Sequence, residues 1–569
     1  MNIQPLERSF LPKDFTITDW EHLQPYFEAL QNRALNSREN LEHWLRDQSE
    51  LEAVISEDAC WRQIRVTLDT TNTANEEAFT YFMMEIEPKM KPYANALNEK
   101  LADCPYTAEL SEVPYFPYLR NIKKAIELYR EANVPLQAEL GVLGQQFGSI
   151  AGKMTIHVND QEYTLQQAAK FLHQSDRALR EEVYSKVSAR RLQDKDALNT
   201  LFDDLITKRH QVAVNAGFSN YRDYKFKELG RFDYGVKECE DFHSAVELHI
   251  MPIIKEIQER KRQKLGVDQL RPWDLDAEPA GTKPLEPFHS GEELVNKAIE
   301  AFTHLRPYFG ECLATMQQMN RLDVESRKGK APGGYNCPLA ETGAPFIFMN
   351  AAGTLDDLIT MMHEGGHAIH SFLCHDLQLS AFKEYPMEIA ELASMSMELF
   401  SMDQWHVFFS SEDELKRAKM EELERVIDVL PWVATIDAFQ HWIYTHPGHT
   451  REERSAAWMQ INNRFSTGLV DWTGFEDYRT NLWQKQLHLY EVPFYYIEYG
   501  IAQLGAIAMW RQYKLNSEMA LDNYMKALGM GYTLPLTELY STAGIQFNFA
   551  PDYVQELAQF VEQEMTALA

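Results

Sequence analysis

The stretch LDDLITMMHEGGHAIHSFL, residues 355–373, restricts the fold more than any other part of the chain. As a helix, it places Leu355, Leu358, Met362, Ile369 and Leu373 on one side and Asp356, Thr360, His363, Glu364, His367 and His370 on the other. Thr354 and Asp357 make a capping-box start after Gly353. Gly365 and Gly366 interrupt its middle, and each costs about 1 kcal/mol relative to alanine. A helix that only fills a core gains nothing from them; the pair makes sense where another backbone comes close. The polar face carries imidazoles in place of solvating Lys or Arg. His363 and His367, four residues apart, point the same way one turn above each other. That spacing lets both reach one zinc ion about 2.0–2.1 Å from each nitrogen. Glu364 then sits beside the metal without ligating it, placed to take a proton from the activated water.

A catalytic zinc needs three protein ligands and one open position. EIAELASMSMELF, residues 388–400, is apolar nearly all round, through Ile389, Ala390, Leu392, Ala393, Met397 and Phe400, as in a buried helix. Glu391, Ser394 and Glu398 nevertheless form one polar stripe. Buried carboxylates without partners are costly, and a metal with its supporting groups satisfies them. Glu391 is the candidate third ligand, with Glu388 near the helix start as its rival. A third histidine six residues after the second is absent, Leu373 standing there, so His370 is expected to orient the site. Further on, HLYEVPFYYIEYG (488–500) places Pro493 before a helix that presents Tyr496 and Tyr499, with Gln503 in line. Tyrosyl hydroxyls and the His488 imidazole suit the oxyanion of a tetrahedral intermediate. The alternative for these rings is an aromatic core stripe.

The remaining sequence predicts a mostly helical chain. Ser37 is expected to cap one helix, a long helix to cover 72–102, and Ser175 and Ser290 to cap two more. MTIHVNDQEYTL (154–165) alternates around Asn159-Asp160 and predicts a β-hairpin. Residues 265–290 form a long Pro- and Gly-rich loop. RLDVES, GGYNCP and PFIFMN predict a small sheet just before the histidine helix, with PFIFMN able to hold a peptide backbone by strand addition. Residues 411–427 predict an exposed, charge-laced helix. A formal charge of −30 and a pI near 5.0 argue against nucleic acid and anionic membranes as partners. No run of 18 apolar residues predicts a membrane span. Six scattered cysteines without a CxxC pair predict no disulfide framework. With an N-terminus lacking an apolar signal core, this fits a cytoplasmic protein.

GGYNCPL, PFIFMN, the TMMHEGGH helix, AELASMSME and HLYEVPFYYIEY, in that order, resemble the oligoendopeptidase F branch of the thimet oligopeptidase family of zinc peptidases. The resemblance runs from about residue 180 to the C-terminus, with GFSNYRDYKF and KRQKLG matching less sharply. It implies a mainly α, two-lobed helical ellipsoid with a deep central channel and a small β-sheet next to the HExxH helix. The division expected is 1–180, an N-terminal helical lobe, and 181–569, the catalytic domain. One zinc per chain is implied, held by His363, His367 and Glu391, with Glu364 as general base and His488, Tyr496 and Tyr499 as late catalytic groups. Tyr495 remains a substitute for Tyr496. The expected activity is cleavage of internal bonds in short oligopeptides. The rivals are an exopeptidase of dipeptidyl carboxypeptidase type and an inactive peptide-binding protein.

Overall fold

The computed structural model describes residues 3–110, 112–331 and 333–569, most of them helical. The helices that bear on function are α1 (Arg38–Leu68), α2 (Val236–Ala245), α3 (Gly291–Leu305), α4 (Leu355–Leu373), α5 (Met387–Ser401), α6 (Glu412–Thr445), α7 (Tyr496–Leu515) and α8 (Ser517–Gly529). The strands are β1 (Thr155–Val158), β2 (Gln161–Thr164), β3 (Leu322–Glu325), β4 (Tyr335–Cys337) and β5 (Phe346–Ala351). The chain divides into two compact units. The first comprises Met1–Tyr129, Leu285–Lys419 and Ala502–Phe547; the second comprises Arg130–Pro284, Met420–Ile501 and Asn548–Ala569.

In the first unit, Trp20, Leu23, Trp44, Leu97 and Leu101 share one apolar core. Ser37 caps α1 as expected, accepting from the Asn40 amide at 3.1 Å. The helix predicted over 72–102 begins at its Asn72 cap but runs as Thr73–Tyr81 and Glu87–Asp103, joined by a π-helical turn. The three predicted strands form one sheet in the order β3-β5-β4, with β3 parallel and β4 antiparallel to β5. This corrects one expectation. PFIFMN supplies β5, whose two edges are already paired, so a peptide strand could add only at β3 or β4. A second correction concerns the cysteines. Cys60 of α1 and Cys337 of β4 are disulfide-linked across 277 residues, a separation that leaves no local spacing for a sequence motif to reveal.

β5 leads into α4, whose capping box is complete: Asp357 N donates to Thr354 Oγ1 at 3.2 Å, and Thr354 N to Asp357 Oδ2 at 2.9 Å. α4 is enclosed on more sides than a two-faced helix would be, since Glu364, Gly365, Gly366 and His370 are buried along with its apolar stripe. α5 is buried at every position from Glu388 to Ser401. The Tyr524 hydroxyl of α8 donates to Ala393 O of α5 at 2.8 Å.

In the second unit, β1 and β2 form the expected hairpin, and Asn159 and Asp160 take φ values of 50° and 62° at its turn. Asp176, not Ser175, caps the next helix; its Oδ1 accepts from the Ala178 and Leu179 amides. Residues 411–427 also differ from expectation. They begin the long helix α6, and Glu422, Leu423, Val426 and Ile427 are buried, because the apolar residues among the charges fall on one side. No helix among the described residues is long and apolar enough to cross a membrane.

Candidate metal centre

α4 and α5 bring three donors together. The ligating atoms of His363, His367 and Glu391 all lie within 4.8 Å of one another. His363 Nε2 is 3.4 Å and His367 Nε2 is 3.9 Å from Glu391 Oε2. Two donors about 2.0–2.1 Å from a tetrahedral ion sit roughly 3.3 Å apart, so small movements close the set around one. Glycine makes this approach possible. A Cβ on Gly366 would stand 2.7 Å from Ser394 Cα and 2.8 Å from Ala393 O, and one on Gly365 would stand 2.6 Å from the Phe302 ring of α3.

The stripe on α5 divides its work. Glu398 Oε1 lies 2.5 Å from His363 Nδ1, which fixes the ring and leaves Nε2 toward Glu391. The Ser394 hydroxyl donates to Glu391 O at 3.0 Å and lies 3.3 Å from Glu391 Oε2. Glu388 is buried as well but is not one of the three converging residues. His370 is also outside the set; it is buried and its ring stacks on Tyr385 at 3.5 Å between centroids.

The electrostatics favour a cation. Burial opposes a charged His363, but hydrogen bonds to Glu391 and Glu398 outweigh it and hold the imidazole well above its ordinary pKa. Burial pushes His367 down to about 4. Two buried carboxylates thus draw in one positive charge, which the His363 proton supplies in the protein alone. A divalent cation supplies it with both imidazoles neutral, as ligation requires. Two histidines and a glutamate are also the donor set of one class of catalytic zinc site, so the residues present fit such an ion.

Glu364 stands next to this set. Its side chain is buried, Oε2 has no hydrogen-bond partner, and burial pushes the carboxyl up to about 7. A carboxylate with that value can take and return a proton near neutrality. Asn336 of β4 donates to the Glu364 backbone carbonyl at 3.3 Å, which ties the sheet edge to this residue.

The predicted tyrosine segment lies in the second unit. The His488 ring centroid is 4.9 Å from that of Tyr496, 5.8 Å from Tyr499 and 5.9 Å from Tyr495. All four rings are partly exposed, while Ile497 and Ile501 take the core side of α7. Gln486 Nε2 is 2.7 Å from His488 Nδ1, and Trp432 Nε1 donates to Gln486 Oε1 at 2.9 Å. Burial pushes the Tyr496 hydroxyl up to about 12, so it remains a protonated donor at neutral pH. Residues that sequence reasoning missed hold the segment in shape. Phe494 adopts φ 67°; its amide donates to Gln440 Oε1 at 2.5 Å and its carbonyl accepts from Arg231, which also pairs with Glu498 at 3.1 Å. Arg209 donates to Leu489 O at 2.9 Å. Nothing local in GRFDYG marks Arg231 for this part.

Fold and donor set define a helical protein with a His-His-Glu centre on two tightly packed helices, attended by a buried carboxylate. Residues 170–559 match the model of Peptidase family M3, and residues 10–129 match that of the Peptidase M3 N-terminal domain. The chain belongs to Peptidase family M3. It is 23% identical over 338 residues to an oligoendopeptidase F homolog of Lactococcus lactis subsp. lactis, covering 57% of this chain and 53% of that one. It is 21% identical over 419 residues to oligopeptidase PepF of Bacillus subtilis, covering 72% and 60%. The matches thus span little more than half the length of these relatives. The solved structure of a PZ peptidase A with an inhibitor superposes with a TM-score of 0.89 at 26% identity, covering 96% of each chain.

Proposed function

We propose that this chain is a zinc-dependent endopeptidase that cuts internal bonds of short oligopeptides in the cytoplasm. The observation that carries the reading is the convergence of His363, His367 and Glu391 beside Glu364, whose buried Oε2 has no hydrogen-bond partner. The membership in Peptidase family M3 and the likeness to oligoendopeptidase F homologs support the same class. Residues 181–569 are assigned the catalytic part and 1–180 the N-terminal helical lobe.

His363, His367 and Glu391 hold the ion. When bound, it supplies Lewis acidity toward a carbonyl and makes water a nucleophile near neutral pH. Glu364 takes the proton from the attacking water and returns it to the leaving amine, two tasks suited to a carboxyl near 7. Glu398 keeps His363 in its ligating tautomer. Tyr499 or Tyr496, with His488, donates to the oxyanion, and the edge of β4 beside Asn336 offers backbone groups to an extended peptide.

A peptide-length series combined with metal analysis tests the reading. Quenched peptides of roughly 5–20 residues, the size range the family analogy gives, should be cut internally. Activity should vanish with a chelator and return with zinc, and folded globular proteins should resist. Stepwise release of C-terminal dipeptides would turn the assignment to an exopeptidase. Full turnover by metal-free protein would overturn it.

A further inference from the structure

The second unit holds another convergence of metal-type donors, far in sequence from the HEGGH helix. Cys239 and His243 stand four apart on α2, and Asp437 and His441 stand four apart on α6, so each pair shares one helix face. The ligating atoms of Cys239, Asp437 and His441 all lie within 4.8 Å of one another. His243 Nε2 lies 2.8 Å from Asp437 Oδ2. Cys239, His243 and Asp437 are buried, Asp437 completely, and His441 keeps 11% of its side-chain surface exposed.

Asp437 and His441 keep polar atoms without hydrogen-bond partners. Asp437 Oδ1 has no partner. His441 Nε2 lies 3.2 Å from Asp437 Oδ2 without hydrogen-bonding alignment, and His441 Nδ1 has no partner either. A fully buried carboxylate with one oxygen unpaired is expensive to keep, and an imidazole whose Nδ1 has no partner adds to the cost. One divalent cation satisfies the thiolate, the carboxylate and the imidazole together.

We infer that Cys239, Asp437 and His441 bind a second transition-metal ion of the zinc type, with His243 holding Asp437 in place. Thiolate and imidazole donors select such an ion over magnesium or calcium, whose ligands are oxygens. The carboxylate-to-His243 contact is the outer support that metal ligands ordinarily have. Binding transfers the Cys239 thiol proton to solvent, one proton per ion. The ion acts as a structural pin between α2 and α6. These two helices support the tyrosine segment: His441 packs on Phe494 at 5.5 Å between ring centroids, Gln440 accepts from the Phe494 amide, and a Cβ on Gly500 would strike Phe242 of α2 and Val433 of α6. This site shares no residue with the His363, His367 and Glu391 centre.

Cobalt separates the two centres, because only this one contains sulfur. Full-length protein stripped of metal and titrated with Co2+ should develop a near-ultraviolet thiolate-to-cobalt charge-transfer band. The double variant His363→Ala with Glu391→Gln should keep the band and bind one ion per chain. Cys239→Ser should lose the band, and Asp437→Asn should weaken Co2+ binding while its circular dichroism shows a folded chain. Absence of the band in the unmodified protein, or its persistence in Cys239→Ser, overturns the inference. If Cys239→Ser fails to fold, zero metal in the folded double variant overturns it as well.

Discussion

His363 and His367 keep 21% and 17% of their side-chain surface exposed, whereas His441 and Asp437 keep 11% and 0%. The two clusters are otherwise built alike: residues four apart on a helix meet donors from a second helix. In the first, the carboxylate reaches the histidines from α5, across a contact that only glycine at 366 permits. In the second, the carboxylate shares α6 with one histidine and is locked by the other. Exposure sorts their roles. Under the proposed function, hydrolysis needs a face open to substrate and a base that is not itself a ligand; the exposed imidazole edges and Glu364 answer those two needs.

The largest effect is expected from Glu391→Gln, which removes a ligand. Zinc titration should show a loss of affinity beyond the roughly 10–100-fold typical of an outer partner, while Glu388→Gln leaves affinity intact. The opposite order would make Glu388 the ligand. Next is Tyr499→Phe, which deletes one hydroxyl and little volume. Steady-state kinetics should show kcat down about 10²–10³-fold with KM within a few-fold and zinc content unchanged. If Tyr496→Phe or Tyr495→Phe does this instead, the donor moves within the segment; His488 variants should affect KM more. Glu398→Gln should weaken zinc binding roughly 10–100-fold, because His363 loses the group that orients it. An unchanged affinity would reduce Glu398 to a bystander. The smallest effect is on stability alone. Gly366→Ala forces a Cβ against the α5 backbone and should cost about 1–3 kcal/mol in denaturant unfolding. Gly141→Ala, where nothing lies within 4 Å, should be neutral or slightly stabilising.

The open centre was largely legible because its parts are local. Two histidines four apart, a glycine pair and an i, i+3, i+7 polar stripe on a buried helix are visible in short windows. The stripe offered Glu391 as the candidate ligand with Glu388 as its rival; that Glu398 instead meets His363 Nδ1 depends on how α5 sits against α4, which the Gly366–Ser394 contact sets. The sealed cluster was missed although CEDFH and DAFQH each carry an i, i+4 pair. Neither pair is distinctive alone, and only the fold brings them face to face. The Cys60–Cys337 link, the positive φ of Phe494 and the Arg231 clamp are long-range in the same way. The sheet was read correctly as three strands, but strand order is a tertiary property, so β5 was given an edge that β3 and β4 in fact cover. The charge-rich start of α6 was read as exposed because its apolar side is narrow, and its partners lie elsewhere in the chain.

Under the proposed function, one buried carboxylate, Glu364, carries out proton transfer beside a metal it does not bind. Glu364→Gln tests this most directly, with zinc content and peptide turnover measured on the same preparation. General acid–base groups contribute about 10²–10⁴-fold, so turnover should fall by at least that range while zinc remains at the level of the unmodified protein. Turnover that persists with zinc bound, or zinc lost along with turnover, would contradict the account.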